Sequence, residues 1–271
     1  MKKKILLGTG LGLVVILVSA VIVAGFFLGD VVKAGMEKIG PKVTQTSLTV
    51  GSVQVGILTG SGGVTGLVLG NPEGYKSPTA ISVGKAAVSV APGSLLSDKI
   101  VIKSVEMRSP EITFEGNPFG ANNLKKIMAS VNAFAGGAEA KAATTNAPAP
   151  AGTKKPAKKL EVDDFLICGA KVHASITGIP GVAVKEITMV IPDIHFAGLG
   201  QGPDGITAAE LTQKVLQEIS AATLKAVGDN ARNIVDAAAN NLLSGVATNG
   251  TKAVGAGLDT IKKGLGGLFR K

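Results

Sequence analysis

The chain has 271 residues, 45% of them hydrophobic but only 3% aromatic, with 37 glycines, two histidines and one cysteine. A core must be built from Val, Ile, Leu and Ala, and with Cys168 alone there is no internal disulfide and little material for a metal centre or a covalent nucleophile. The net charge of +9 comes without basic–aromatic interleaving, which argues against nucleic acid and makes an anionic membrane surface the better partner for diffuse basic charge.

Lys2, Lys3 and Lys4 precede an uncharged run from Ile5 to Leu28, closed by Asp30. As a helix this run reaches about 36 Å, enough to cross a bilayer with some tilt. The lysines before it place the N-terminus in the cytoplasm and the remainder outside. The alternative is a cleaved secretory signal ending at Val18-Ser19-Ala20. The run is much longer than the ~7–15 apolar residues of such a signal. Residues 1–30 are therefore expected to be an uncleaved transmembrane anchor.

Val31–Ile39 reads as a short amphipathic helix stopped by Gly40-Pro41. Strands follow: Leu48–Leu58 with a bulge near Gly51, Gly63–Leu69, Ile81–Val90, and a long one over Lys99–Glu115 that contains Pro110. A helix is expected from about Asn122. Residues 135–159 are rich in Ala, Pro, Gly, Thr and Lys and lack apolar periodicity, so they read as a disordered linker. A second hairpin, Leu160–Gly178 with Ala183–Leu199, leads into a helix. Thr207 and Glu210 form its capping box, and Leu211, Val215 and Ile219 its apolar stripe.

The last segment, 229–271, reads as an amphipathic tail. Val254, Leu258, Ile261, Leu265 and Leu268 form its stripe, with Lys252, Lys263 and Arg270 off it. The stripe and its basic flank suit an anionic membrane surface, while a frayed tail without a partner has equal weight.

The chain repeats itself. Val101–Gly116 (VIKSVEMRSPEITFEG) and Ala183–Gly198 (AVKEITMVIPDIHFAG) match without a gap at Lys103/Lys185, Met107/Met189, Pro110/Pro192, Ile112/Ile194, Phe114/Phe196 and Gly116/Gly198. In both copies the apolar phase changes at the proline. Val105 and Met107 give way to Ile112 and Phe114; Ile187 and Met189 give way to Ile194 and Phe196. A bulge or edge proline tolerates such a change. Each ribbon is thus expected to be long, bent and apolar on one face. The two should be neighbours in one sheet or face each other across one core. The units are 31–134, with the first hairpin and helix, and 160–228, with the second.

Cys168, His173, Asp193 and His195 lie on the second hairpin, with Cys168 expected opposite Asp193. No metal-ligand spacing, nucleophile elbow or phosphate loop occurs, so these read as solvated strand residues and no active site or cofactor is expected.

The motifs GPKVTQT (Gly40–Thr46), VGSVQVGILTGSGGVTGLVLGNPEGY (Val50–Tyr75), GSLLSDKIVIKSVEM (Gly93–Met107) and PEITFEG (Pro110–Gly116) sit just after a single N-terminal anchor. Over about residues 40–131 the chain resembles the N-terminal region of AsmA-like proteins of Gram-negative bacteria. The resemblance implies a single-pass inner-membrane protein facing the periplasm, linked to outer-membrane lipid homeostasis. The expectation is an α+β fold: a transmembrane helix, a twisted, mostly antiparallel sheet of about six strands built from two hairpin–helix units, and amphipathic C-terminal helices. The expected function is non-enzymatic contact with phospholipid through the apolar face of Val105, Met107, Ile112, Phe114, Ile187, Met189, Ile194 and Phe196. The alternative is a structural or protein-interaction module whose helices cover that face.

Overall fold

The computed structural model describes residues 27–143, 158–178 and 185–248. All but the last four residues of the expected anchor, and the whole stripe from Val254 to Leu268, lie outside these. Among the described residues no helix is long and apolar enough to cross a membrane.

The fold is α+β, with one curled mixed sheet and three helices. The sheet has ten strand segments: β1 (Leu48–Thr49), β2 (Ser52–Gly56), β3 (Ser61–Gly70), β4 (Thr79–Val90), β5 (Lys99–Arg108), β6 (Glu111–Gly116), β7 (Lys159–Cys168), β8 (Lys171–Ile176), β9 (Lys185–Val190) and β10 (Ile194–Leu199). They act as six ribbons, because four pairs of segments keep one register across their break. β5 and β6 both pair along β4, β7 and β8 run beside them, β10 and β9 run beside those, and β1 and β2 share β3. All neighbours are antiparallel except β5/β6 with β7/β8. That parallel pair follows from the helix between them, which carries the chain back to the end where β5 began. The two repeated ribbons share this sheet with one ribbon, β7/β8, between them.

A crease crosses all six ribbons at one level. Ser52 pairs with Thr65 and Thr49 with Val68, which sets Gly51 opposite Gly66. Thr65 pairs with Lys85 and Leu67 with Val83, which sets Gly66 opposite Gly84. By the same reading Gly84 faces Ser109, Ser109 faces Gly169 and Gly169 faces Pro192. Gly66, Ser109 and Gly169 have left-handed backbones, with φ of 64°, 49° and 64°. Hydrogen bonds cross the line even so: the Gly51 N–H donates to the Gly66 carbonyl at 3.1 Å and the Ser109 N–H to the Cys168 carbonyl at 2.8 Å.

At the crease every ribbon changes the parity of its inward positions. Leu48 and Val50 give way to Val53 and Val55, Val64 to Leu67 and Leu69, and Ile81 and Val83 to Ala86 and Val88. Phe165 and Ile167 give way to Val172 and Ala174, and the two repeated ribbons follow suit. An irregular residue in a strand shifts the alternation by one. Because all six shift together, both halves of the sheet present apolar side chains to one concave face.

Two helices cover that face. α2 (Asn123–Ala143) and α3 (Ala208–Thr248) pack antiparallel, with Gln213 Nε2 donating to Asn132 Oδ1 at 2.9 Å and Arg232 stacking on Phe119. Beneath them Ile112, Phe114, Leu124, Val131, Val162, Val172 and Val227 are fully buried. Asn123 is also wholly buried. Its amide donates to Thr113 O and Asn71 Oδ1 and accepts from Glu115 N–H, so it ties α2 to β6 and to the β3–β4 turn. Two expected boundaries move. α2 continues to Ala143, into the segment read as linker, because the alanines there are strong helix formers. α3 crosses residue 228 unbroken, so 229–248 belongs to it and not to a separate tail.

The first helix, α1, is described over 27–44, and Gly40-Pro41 does not stop it. It ends at Gln45, whose left-handed backbone (φ 56°) and N–H to Pro41 O at 3.0 Å close the last turn. Tertiary packing overrides the local signal. A Cβ on Gly40 would lie 2.3 Å from Leu48, and one on Gly29 would lie 2.2 Å from Val53 O, so both glycines sit against the edge ribbon. Lys33 donates to Gly51 O and Glu37 accepts from the Val50 N–H, both at 2.9 Å. α1 therefore lies antiparallel along β1/β2 and partners its backbone at Val50 and Gly51, where the register runs through without the expected bulge.

Gly169→Ala should destabilise the protein by about 1–2 kcal/mol, because the alanine is forced into a left-handed backbone. Gly84→Ala lies on the same line with an ordinary φ and open space around the new methyl, and should cost less than about 0.5 kcal/mol. Urea midpoints of the two variants against the parent test the difference.

Candidate functional site: an apolar cavity behind the first helix

A cavity of about 490 Å³ lies between α1, the sheet and the start of α3. This is within the range of small-molecule sites, about 300–1,000 Å³. α1 contributes Met36, Ile39 and Val43, and the sheet contributes Leu67, Leu69, Ile81 and Val83 with Met107 and Ile112. Leu211, Val215, Leu216 and Ile219 of α3 form the opposite wall, and Phe134 of α2 reaches in at the side. Each element contributes one face. The α3 residues recur every three to four positions, and the strand residues every two, on the side that the crease turns inward.

Among the described residues Thr44 and Thr212 supply the only polar side chains of the lining. Both hydroxyls are already used. Thr44 Oγ1 reaches Gly40 O at 3.0 Å and also bonds Thr46 Oγ1; Thr212 Oγ1 donates to Ala208 O at 2.8 Å. Such back-bonding to the carbonyl four residues earlier is the habit of Ser and Thr in helices. Among the described residues the lining carries no charged side chain, and its two hydroxyl donors are turned to helix carbonyls or a neighbouring threonine. Such a wall can accept hydrocarbon.

Of the eight side chains expected to face lipid, Met107 and Ile112 are in this wall. Val105, Phe114 and Ile194 are buried in the core, while Ile187, Met189 and Phe196 are half-buried against it. Phe196 meets Phe165 edge to face, with ring centroids 5.9 Å apart. The wall residues from α1 and α3 were not among the expected site. Met36, Ile39 and Val43 do recur at three and four residues, but that pattern could be read only if the helix passed Gly40-Pro41.

The polar residues of the second hairpin lie outside the cavity. Cys168 is opposite Asp193, as expected from the pairing. Asp193 accepts from the Gly169 N–H at 3.0 Å and so supports the crease. His195 pairs with Asp164 at 2.5 Å and His173 with Thr188 at 3.1 Å, both in exposed positions. Among the described residues no three His, Cys, Asp or Glu side chains converge to hold a metal. No protein-family model, curated protein or solved structure matches the chain.

The capping box holds the helix start that forms one wall. The Thr207 N–H donates to Glu210 Oε2 at 2.6 Å and the Glu210 N–H to Thr207 Oγ1 at 3.1 Å. These bonds from Thr207 hold the Glu210 carboxyl below the usual range, against a smaller opposing effect of burial. Thr207→Ala should cost about 1 kcal/mol of stability. A carboxyl depressed in the folded state contributes stability above its unfolded pKa, and that contribution is lost as the pH falls through the folded value. The stability difference between the parent and Glu210→Gln should therefore be present at neutral pH and vanish below the ordinary carboxylate range. Thermal melts of both proteins across that range measure it.

Proposed function

We propose that this chain is a non-enzymatic, membrane-anchored protein of the cell envelope, of AsmA-like type, that holds a lipid acyl chain in the cavity behind α1. The observation that carries this reading is the chemistry of the wall: about 490 Å³ of space whose described lining has two threonine hydroxyls, no charge and otherwise only apolar side chains. Each CH₂ taken from water into such a wall contributes about 0.8 kcal/mol, so a chain of even modest length is retained well. The uncharged run before residue 29 supports single-pass attachment to the inner membrane, with the sheet in the periplasm. The sheet's width supports holding over conveying. Six ribbons at about 4.8 Å spacing make a surface roughly 25 Å across, too narrow to bridge two membranes. The partner is then the membrane itself and a phospholipid drawn from it. The tail stripe and its lysines, as an amphipathic segment, would add a second surface contact.

A second reading has its own support. α2 and α3 bury Phe114 and Ile194 completely or nearly so, as in a structural or interaction module with a self-covered core. Native mass spectrometry of the full chain, released from membranes in mild detergent, separates the two. Co-purified phospholipid is expected with the parent protein. Ala209 lines the cavity from the first turn of α3 and is not fully buried. Ala209→Phe should fill part of the space and strip the lipid while the protein still melts cooperatively. A parent protein that carries no phospholipid, whatever the detergent, would favour the self-covered module.

A further inference from the structure

The outward side of α1 exposes large apolar side chains at its start, with the exposed charges of Asp30 and Lys38 beside them. Phe27 is 69% exposed, Val31 66%, Leu28 41% and Val32 42%. Leu28, Val32, Gly35 and Ile39 are spaced +4, +7 and +11, so they form a single row along the helix. The row does not end on the surface. Its last two members, Gly35 and the 56%-exposed Ile39, are lining residues of the cavity. The row is thus a continuous apolar strip from the start of α1 to the cavity wall.

Its other end points to the membrane side. α1 passes Val53 at Gly29 and Leu48 at Gly40, so it starts at the end of the sheet where β2 finishes. Two neighbouring turns share that end. Gly60 of the β2–β3 turn packs on Pro92 of the β4–β5 turn, and these turns expose Leu58 (68%) and Leu96 (96%). The uncharged run from Ile5 to Leu28 joins the fold there too. Gly35 adds an independent sign. A Cβ on it would meet nothing within 4 Å, so packing does not require glycine, yet glycine weakens a helix interior. What glycine does provide is a notch in the strip where it meets the cavity.

We propose that the strip Leu28–Val32–Gly35–Ile39 is the path by which a phospholipid acyl chain passes between the bilayer and the cavity, with the Leu58 and Leu96 turns resting in the membrane interface. The proposal rests on the reading of the cavity as a lipid site and of the N-terminal run as a membrane anchor. The occupant is a phospholipid because the strip starts where the run ends and carries no charge. Lys33 and Glu37 on the same helix are turned to the edge ribbon, where they bond Gly51 O and Val50 N–H.

The test uses the full chain in phosphatidylethanolamine–phosphatidylglycerol vesicles, with a photo-crosslinking amino acid at one position at a time. Lipid adducts are expected at Val32 on the strip and at Leu216 in the cavity, and none at Glu73 in the β3–β4 turn at the far end of the sheet. Uptake of a fluorescent phospholipid by the vesicle-bound protein is measured alongside. Val32→Glu places a charge on the path and should slow uptake about tenfold or more, while Val32→Leu should leave the rate near that of the parent. Val32 is a surface residue, so neither change threatens folding. Adducts at Leu216 without adducts at Val32, or uptake unaffected by Val32→Glu, would overturn the path and leave the cavity reading standing. Absence of adducts at both positions would overturn both.

Discussion

A sheet of six long ribbons can wrap one core only if all the ribbons bend at the same level. Hydrogen bonds tie each ribbon to its neighbours, so one that bends alone breaks two ladders. Here the bends are aligned from Gly51 to Pro192, one residue per ribbon. The means differ. Gly51 and Gly66 approach closely, Gly84 lies on the line with open space around it, Gly66, Ser109 and Gly169 take left-handed backbones, and Pro192 lacks the N–H. The shared result is one step of phase, which turns the apolar positions on both sides of the crease toward the same helices. The positions of the core and of the cavity depend on that step, since Met107 and Ile112 share a cavity wall only because the alternation shifts between them.

Part of this was legible in the sequence. The repeat placed a phase change at Pro110 and another at Pro192, and the valines around Gly51 showed a third. Fold class, hairpins and the capping box at Thr207 could be read for the same reason: period and turn chemistry are local. Gly66, Gly84 and Gly169 could not be assigned, because a glycine in a strand is informative only once its cross-strand neighbour is known. The ten segments likewise join into six ribbons only through register. At Gly40-Pro41 local chemistry misled. A glycine–proline pair usually ends a helix, but here Gly40 lets Leu48 pack against α1. The cavity was illegible for a related reason. Its wall comes from four parts of the chain, and the part supplied by α1 becomes visible only when the helix is known to continue to residue 44.

The edge ribbon and α1 also solve a common problem together. β1/β2 is the outermost ribbon on its side, and an uncovered edge invites pairing with another chain. At the break between β1 and β2, Glu37 takes the Val50 N–H and Lys33 the Gly51 carbonyl. Glu37 and Lys33 lie one helical turn apart, so a helix antiparallel to the ribbon meets both groups. From Gly29 to Gly40 the helix rises about 16 Å, and from Val53 to Leu48 the ribbon extends about the same distance. This match of lengths lets two glycines and two charged side chains all reach the ribbon without distortion.

α1 consequently has three sides with three tasks. One side holds the edge ribbon, one closes the cavity through Met36 and Val43, and one carries the exposed strip from Leu28 to Ile39. The sides are not independent. The contacts of Gly29 and Gly40 hold α1 on the ribbon, and Met36 and Val43 of the same helix line the cavity with Leu67 and Ile81. A force on the chain before residue 27 would act along the same helix, so its attachment to the ribbon is what keeps such a force from opening the wall. The polar bonds of Lys33 and Glu37 are exposed or half-exposed and individually weak. The close glycine contacts, at Gly29 against the Val53 carbonyl and at Gly40 against the Leu48 side chain, add van der Waals contact to the attachment. On this argument Gly29, away from the cavity, and Gly40, in its lining, bear on the shape of the cavity through the attachment of α1 to the ribbon.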